Sequence, residues 1–228
     1  MKAIIAAAGR GSRLGALTRN RPKGLLPVNG ESIIARQIRI LKAYGITDIA
    51  IVTGYRSEKI IDQFKDSVTF FYNSDYATTT STSSMYKAID FMDDDIIVMF
   101  SDVVFSEDSL DGLLHSPHQY CLLIDNKDCD QEAVKVQVSG NRMINAGKHL
   151  PSEESFGEWT YIFTIRKSGL PAFKDALLEC STNKRGSVFM FTNLINMGYD
   201  VHYELMSHDW TEVDFVKDYV EAKRIFEG

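Results

Sequence analysis

A glycine-rich turn near the start of the chain has the residue types needed to bind an anion. The segment Ala6-Ala7-Ala8-Gly9-Arg10-Gly11-Ser12-Arg13-Leu14 overlaps and follows a short apolar run, Lys2–Ala7, that predicts a buried strand. Glycines allow backbone N–H groups to come close to a ligand, so such a turn can form a concave anion-binding site. We therefore expect it to bind phosphate.

The residues that follow this turn add positive charge. Five basic side chains fall within 14 positions: Arg10, Arg13, Arg19, Arg21 and Lys23. This is a local concentration, because the chain of 228 residues has a formal net charge of −6. A solvated basic loop is the alternative, but ligands of open α/β sheets bind beyond the carboxyl ends of strands. The position after a first strand therefore favours phosphate binding.

Two common phosphate-binding motifs are excluded by spacing. The dinucleotide-binding fingerprint needs G-x-G-x-x-G, whereas Gly9, Gly11 and Gly15 place the third glycine one residue too far along. A Walker A loop needs Gly-Lys-Ser/Thr after its glycines, and this turn lacks that sequence. A nicotinamide-dependent oxidoreductase is therefore the weakest functional reading.

Composition excludes further classes of protein. The negative net charge argues against a nucleic-acid-binding surface. The three cysteines, Cys121, Cys129 and Cys180, form no CxxC pair, which argues against a structural zinc site and a disulfide framework. The apolar run Ala3–Ala8 is shorter than a signal peptide requires, and no stretch approaches a membrane span. We expect a cytoplasmic protein without a membrane partner.

The elements that must position the turn alternate regularly along the first hundred residues, which predicts a parallel sheet with helices on both faces. The predicted strands are Lys2–Ala7, Ile49–Thr53, Val68–Tyr72 and Ile96–Phe100. The predicted helices are Ser32–Tyr44, Ser57–Phe64 and Ser84–Met92.

Shorter strands follow from about residue 120, then helices return. The predicted strands are Tyr120–Ile124, Val134–Val138, Arg142–Asn145, Trp159–Ile165 and Val201–Leu205. The predicted helices are Ser168–Glu179, Val188–Met197 and Asp214–Phe226, the last with Asp214 as its N-cap. We expect one domain, 1–228, of the α/β class. Its Rossmann-like, mostly parallel sheet is flanked by helices and carries a small β-rich insertion.

The glycine-rich turn and the loop after it resemble the signature of nucleotidyltransferases that activate sugar phosphates and phosphoalcohols, (L)AAGxGSRLxPLTxxxPKxLxPV. The matching stretches are Ala7-Ala8-Gly9, Gly11-Ser12-Arg13-Leu14, Leu17-Thr18 and Pro22-Lys23-x-Leu25-x-Pro27-Val28. Ala6 and Ala16 replace the usual Leu and Pro, and neither position carries chemistry. The resemblance implies a fold of the nucleotide-diphospho-sugar transferase type.

The resemblance also implies a reaction, in which an acceptor oxygen attacks the α-phosphorus of a nucleoside triphosphate and pyrophosphate leaves. By that resemblance Arg13 holds the triphosphate and Lys23 contacts the α-phosphate, as the two catalytic residues. The residues implied to bind the nucleotide are Ala7, Ala8, Gly9, Gly11, Ser12, Asn73 and Ser84.

The resemblance further implies a Mg²⁺ ion held by carboxylates. Asp102 closely follows the strand Ile96–Phe100, where the family carries one metal ligand. Asp214 closes the segment Trp210-Thr211-Glu212-Val213-Asp214, which matches the family's late W-x-x-V/I-D motif. Taken alone, Asp102 reads as a loop residue. The acidic clusters 93–95 and 128–130 suggest a glycosyltransferase DxD only weakly, since the first precedes its strand.

The segment after Asn73 resembles that of choline-phosphate and phosphonate cytidylyltransferases, which implies CTP. It departs from that branch at Thr80 and Ser81, where choline-type members often have Asn. By the same resemblance Lys148 and Glu158 are implied to bind the acceptor. Trp159 and Trp210 are further acceptor-binding candidates, because aromatic faces attract cations such as a quaternary ammonium group. The alternatives are a surface lysine, an edge-strand carboxylate and two packed tryptophans.

The expected function is that of a Mg²⁺-dependent cytidylyltransferase that transfers CMP from CTP to a small phosphoalcohol or phosphonate. Phosphocholine and 2-aminoethylphosphonate exemplify such acceptors. One alternative is a sugar-1-phosphate nucleotidyltransferase that uses UTP or dTTP. Another is a non-catalytic nucleotide-binding regulatory module. No motif indicates an oligomeric state.

Overall fold

The computed structural model describes residues 1–227. Its strands are β1 (Lys2–Ala7), β2 (Pro27–Val28), β3 (Glu31–Ser32), β4 (Ile49–Thr53), β5 (Thr69–Tyr72), β6 (Ile96–Phe100), β7 (Val103–Phe105), β8 (Tyr120–Asp125), β9 (Lys135–Ser139), β10 (Arg142–Gly147), β11 (Gly157–Ile165), β12 (Val201–Leu205) and β13 (Trp210–Glu212). Its α-helices are α1 (Ile33–Ala43), α2 (Ser57–Phe64), α3 (Ser81–Tyr86), α4 (Asp111–His115), α5 (Leu170–Thr182), α6 (Val188–Asn196) and α7 (Val216–Phe226).

Nine strands form one sheet in the order β5-β4-β1-β6-β11-β8-β12-β10-β9. The four strands from β5 to β6 are parallel, as the alternating pattern predicts. Beyond them the sheet is mixed, because β11 runs antiparallel to both β6 and β8. The β9–β10 hairpin is the predicted β-rich insertion, and it extends the same sheet.

Both faces of the sheet carry apolar side chains, and helices cover both. Alternate side chains of one strand enter opposite layers, so Ile4 of β1 packs with α3, α5 and α6. Its neighbour Ile5 packs with α1, α2 and α4. A third apolar cluster, which includes Leu14 and Val213, joins the loop after β1 to α7. The residues that follow β1 and β6, 8–9 and 101–102, line one cavity together with Lys23 of that loop.

Most predicted elements are present with ends shifted by one or two residues. The helix predicted over Ser84–Met92 is displaced: it spans Ser81–Tyr86, and a separate 3₁₀ turn covers Ile89–Phe91. The prediction missed this because seven hydroxyl residues in a row give no apolar period. None of the helices among residues 1–227 has the length and apolarity needed to cross a membrane.

The prediction that Asp214 caps the last helix is wrong. The helix starts at Val216 with Phe215 before it. The carboxylate of Asp218 instead accepts hydrogen bonds from the backbone N–H groups of Asp214 (3.0 Å) and Phe215 (2.7 Å). Asp218 thus accepts from the backbone N–H groups that precede α7. The side chain of Asp214 is not needed as a cap and is available for other partners.

A two-stranded antiparallel ribbon, β7 with β13, was not predicted. Its strands pair Trp210 with Phe105 and Glu212 with Val103. Just beyond the paired residues, the backbone N–H of Val213 donates to the carbonyl of Asp102 at 2.9 Å. The ribbon therefore brings Asp102 and Asp214 together.

Candidate active site

The glycine-rich turn wraps closely around Lys23. Gly11 has a φ of 63°, in the left-handed region that glycine tolerates. A Cβ atom at this position would lie 3.0 Å from Cβ of Lys23, so a side chain would crowd the lysine. The hydroxyl of Thr18 donates to the carbonyl of Gly11 at 2.8 Å and fixes the turn. Thr18 and Lys23 therefore both contact Gly11 in one local structure.

Lys23 lies at the centre of a charged network that is largely buried. Its Nζ atom is 2.5 Å from Oδ2 of Asp102 and 2.6 Å from Oδ1 of Asp214. Burial alone would lower the pKa of Lys23, but the attraction of the two aspartates outweighs it and raises that pKa. Arg13 contacts the second oxygen of Asp214 at 2.8 Å. The signature lysine and arginine are thus joined to both predicted metal ligands.

Three carboxylates form a cluster suited to a divalent cation. Oxygen atoms of Asp102, Glu212 and Asp214 lie within 4.8 Å of one another. Oδ1 of Asp102 is buried and has no hydrogen-bond partner within residues 1–227, so this oxygen is free to bind a cation. Carboxylate oxygens are the ligands that Mg²⁺ prefers. These residues therefore fit the metal that the family resemblance implies.

Glu212 was not among the predicted site residues. Burial, together with the negative charges of Asp102 and Asp214, raises its pKa well above the ordinary glutamate value. The sequence did hold a signal, since Glu212 precedes Asp214 by two positions within the late motif. Side chains two positions apart in an extended segment point to the same side, so Glu212 and Asp214 do so at the end of β13.

A cavity of about 250 Å³ opens between the glycine-rich turn and the start of α3. Of the residues predicted to bind the nucleotide, five line this cavity: Ala8, Gly9, Gly11, Ser12 and Ser84. The other two, Ala7 and Asn73, are buried. The side-chain amide of Asn73 donates to the hydroxyls of Ser84 and Thr79, both at 3.0 Å. Asn73 therefore positions hydroxyl groups of the cavity wall. We call this space the nucleotide cavity.

A second cavity of about 570 Å³ lies on the other side of the charged network, and we call it the acceptor cavity. It shares four charged wall residues with the nucleotide cavity: Arg13, Lys23, Asp102 and Asp214. Lys148 lines the acceptor cavity, and its ammonium group is 3.2 Å from Glu132. The two spaces meet at the charged network.

The remaining residues predicted to contact the acceptor lie elsewhere. Glu158 and Trp210 line a neighbouring acidic depression, where Lys127 is 3.3 Å from the glutamate and 4.2 Å from the indole centre. Burial raises the pKa of Glu158, and Lys127 offsets part of that rise. Trp159 is only 1% exposed and packs against aromatic rings such as Phe163 and Phe191. It lies in the core, beneath the site.

Residues 3–167 match the family model described as the MobA-like NTP transferase domain, which covers more than half of the chain. The chain belongs to this nucleotidyltransferase family. The matched range contains Arg13, Lys23 and Asp102, whereas Glu212 and Asp214 lie beyond it. The nucleotidyltransferase resemblance of the N-terminal signature is thereby confirmed.

Several curated nucleotidyltransferases are similar to this chain. A CTP:phosphoglutamine cytidylyltransferase of Campylobacter jejuni is 34% identical over 65% of this chain and 66% of its own length. A choline-phosphate cytidylyltransferase of Streptococcus pneumoniae is 44% identical over 38% of each chain. A bifunctional GlmU protein of Methanococcus maripaludis is 32% identical over 68% of this chain and 37% of its own length. The chain thus spans two thirds or less of these relatives.

Solved structures show the same fold. The inositol-1-phosphate CTP transferase from T. maritima superposes with a TM-score of 0.83 at 19% identity. The alignment covers 99% of this nucleotidyltransferase chain and 96% of the other. The mixed sheet with helices on both faces is therefore the nucleotide-diphospho-sugar transferase type of fold that the signature implies.

Proposed function

We propose that this chain transfers CMP from CTP to a phosphate or phosphonate oxygen of a small acceptor and releases pyrophosphate. The observation that carries the proposal is the junction of two cavities at Arg13, Lys23, Asp102 and Asp214. Such a junction suits a reaction between two anions, because Arg13 and Lys23 place positive charge where the reacting atoms would meet, and Asp102 and Asp214 can hold a further cation there. We expect one catalytic domain over 1–228 that acts in the cytoplasm.

In the proposed mechanism the glycine-rich turn and Arg13 bind the triphosphate. Lys23 lines both cavities, so its ammonium group can offset charge on the α-phosphate as the acceptor oxygen attacks. The new bond joins the acceptor oxygen to the α-phosphorus, and the bond to the β-phosphate oxygen breaks. The acceptor oxygen is already deprotonated, so the step needs no general base.

Asp102 and Asp214, with Glu212 beside them, would hold the Mg²⁺ ion in this proposal. When bound, the cation would neutralise phosphate charge and favour pyrophosphate as a leaving group. Lys23 now pairs with the same two aspartates, so these carboxylates keep its ammonium group at the junction in the protein alone.

The preference for CTP rests on the relatives and on the wall of the nucleotide cavity. The curated relatives include proteins named as CTP:phosphoglutamine and choline-phosphate cytidylyltransferases. The hydroxyls held by Asn73, together with Ser81 and Thr80, offer the donors and acceptors that a pyrimidine edge needs. Lys148 supplies a cation for the acceptor's phosphate or phosphonate.

A triphosphate-by-acceptor matrix tests the proposal, with pyrophosphate release as the readout. CTP, UTP, dTTP, ATP and GTP are each combined with phosphocholine, 2-aminoethylphosphonate, glycerol 3-phosphate and glucose 1-phosphate in the presence of Mg²⁺. We expect release with CTP and a phosphoalcohol or phosphonate. Lys23→Ala and Asp102→Ala should each lower turnover by about two orders of magnitude or more. Lys59→Ala, an exposed lysine on α2, is the matched control and should keep full turnover.

The alternatives give different patterns in the same matrix. Preferred release with UTP or dTTP and glucose 1-phosphate would identify a sugar-1-phosphate nucleotidyltransferase instead. Stabilisation by a triphosphate without pyrophosphate from any pair would identify a nucleotide-binding module. Either pattern would contradict the proposed cytidylyltransferase.

A further inference from the structure

Tyr161 has a backbone conformation that a tyrosine rarely adopts. It lies in the middle of β11 with a φ of 61°, in the left-handed region. A bulky side chain is strained there, whereas glycine is not. The pairing of β11 with β8 shifts in register between Trp159 and Phe163, so Tyr161 occupies an irregularity of the sheet. Such irregularities commonly redirect a side chain next to an active site.

The redirected side chain enters the acceptor cavity. Tyr161 lines that cavity together with Lys23, Glu212 and Asp214, and it does not line the nucleotide cavity. Its ring centre is 5.3 Å from that of Phe100, which fixes the ring against β6. Its hydroxyl group has no hydrogen-bond partner within residues 1–227. The strained backbone thus supports a fixed aromatic ring with a free polar end.

The rest of the cavity wall indicates what such a ring meets. Other segments contribute apolar or small side chains, among them Val134, Ala146, Val188 and Phe189, beside the polar side chains of Asn145, His149, Ser187 and Thr192. Charge is concentrated at the junction with the nucleotide cavity and at Lys148. An acceptor with an anionic end at the junction would therefore place its organic part against apolar walls and the Tyr161 ring.

We propose that Tyr161 determines acceptor specificity: its ring limits the size of the acceptor's organic part, and its hydroxyl donates to an acceptor oxygen. The inference rests on the proposed function, because it assigns the acceptor to this cavity. It deepens that function by naming the acceptor class as small phosphoesters or phosphonates with a compact organic part. A glycine at this position would relieve the backbone strain and enlarge the cavity.

The test compares Tyr161→Gly and Tyr161→Phe with wild type on acceptors of increasing size. The acceptors are 2-aminoethylphosphonate, phosphocholine, glycerol 3-phosphate and inositol 1-phosphate, each with saturating CTP. We expect Tyr161→Gly to shift relative kcat/KM towards inositol 1-phosphate by about tenfold or more, the usual scale of discrimination by pocket volume, while KM for CTP stays unchanged. Tyr161→Phe should keep the size ranking and raise the acceptor KM by about tenfold, the effect of one lost hydrogen bond.

Tyr203→Phe is the matched control, because its hydroxyl donates to the Gly140 carbonyl at an exposed site. It should leave the acceptor KM unchanged. Should the glycine variant fail to fold, Tyr161→Asn provides a second small side chain that tolerates left-handed backbone. If a folded Tyr161→Gly or Tyr161→Asn protein ranks the acceptors by size as wild type does, the inference about Tyr161 is overturned, whereas the proposed function is not. Absence of pyrophosphate from wild type with every pair would overturn the proposed function and the inference with it.

Discussion

Lys23 is the residue on which the site depends, because it joins parts of the chain that are far apart in sequence. It contacts Asp214, which lies 191 residues away in sequence, and Asp102 in the connection between β6 and β7. Removing one member of a buried ion pair leaves the others uncompensated, at a cost of about 3–5 kcal/mol. Loss of activity in Lys23 variants must therefore be measured beside a thermal unfolding curve.

Glu158 gives a prediction about pH at the same scale. Its folded-state pKa is raised by burial above the ordinary value of 4.5, so folding favours the protonated form. That contribution is complete below pH 4.5 and is lost as the pH rises through the folded-state pKa. Glu158→Gln removes the buried charge, so we expect it to unfold at a higher temperature than wild type at neutral pH.

The two unfolding temperatures should converge below pH 4.5, where both side chains are neutral. Glu153→Gln, at an exposed glutamate, is the matched control and should leave the unfolding temperature unchanged at every pH. A Glu158→Gln protein that is less stable than wild type at neutral pH would contradict the stated cause. In that case the attraction between Glu158 and Lys127 would stabilise the folded protein by more than the burial of the charged carboxylate destabilises it.

The individual residues of the signature were the most predictable part of the site. Gly11, Ser12, Arg13 and Lys23 stand at fixed spacing in one stretch, and the structure brings all four to the same cavity wall. Glu212 was missed because the late motif was used only to find Asp214, although the glutamate two positions before it points to the same side. Trp159 was considered for the acceptor on residue type alone, which cannot separate a core tryptophan from a binding one.

At the scale of elements, the ribbon of β7 and β13 and the start of α7 determine where Asp214 lies. Asp218 accepts from two backbone N–H groups at this junction. Asp218→Ala should destabilise the protein by about 1 kcal/mol, the usual cost of a lost helix cap. Because the backbone N–H of Asp214 itself donates to Asp218, the same change should lower turnover several-fold. Urea unfolding and pyrophosphate release measure the two effects.

Asp218→Asn keeps a side-chain oxygen acceptor and is the informative control. It should retain most of the stability and most of the turnover. An Asp218→Ala protein with wild-type stability and wild-type turnover would show that neither the cap nor the position of Asp214 depends on this carboxylate.

Most elements of five or more residues were predictable because their apolar residues repeat with a clear period. The exceptions are α3, which begins in a run of hydroxyl residues, and the five-residue helix α4. The runs Ile49–Thr53 and Ile96–Phe100 are buried strands in the sequence and in the structure. The ribbon was not predictable, since each of its strands has three residues and gains its partner only through tertiary packing. The left-handed backbone at Tyr161 likewise has no sequence signal, because nothing in the tyrosine side chain favours it.

At the scale of the whole molecule, three cations that line the cavities, Arg13, Lys23 and Lys148, pair with carboxylates. Arg13 contacts Asp214 and Lys148 contacts Glu132, so these basic groups are partnered in the protein alone. Substrate phosphates would compete with these carboxylates for the same cations. The meeting of two cavities depended on packing distant segments together, which no local pattern encodes.

The most direct test of the central claim is phosphorus NMR of the complete reaction. CTP, Mg²⁺ and whichever acceptor gives pyrophosphate are incubated with the protein, and the phosphorus signals are followed to completion. We predict pyrophosphate and a CMP–acceptor anhydride in equal amounts, with both signals growing about two orders of magnitude more slowly, or slower still, in the Lys23→Ala protein. CMP with pyrophosphate but no anhydride, or CDP with phosphate, would contradict transfer to an acceptor at the α-phosphorus.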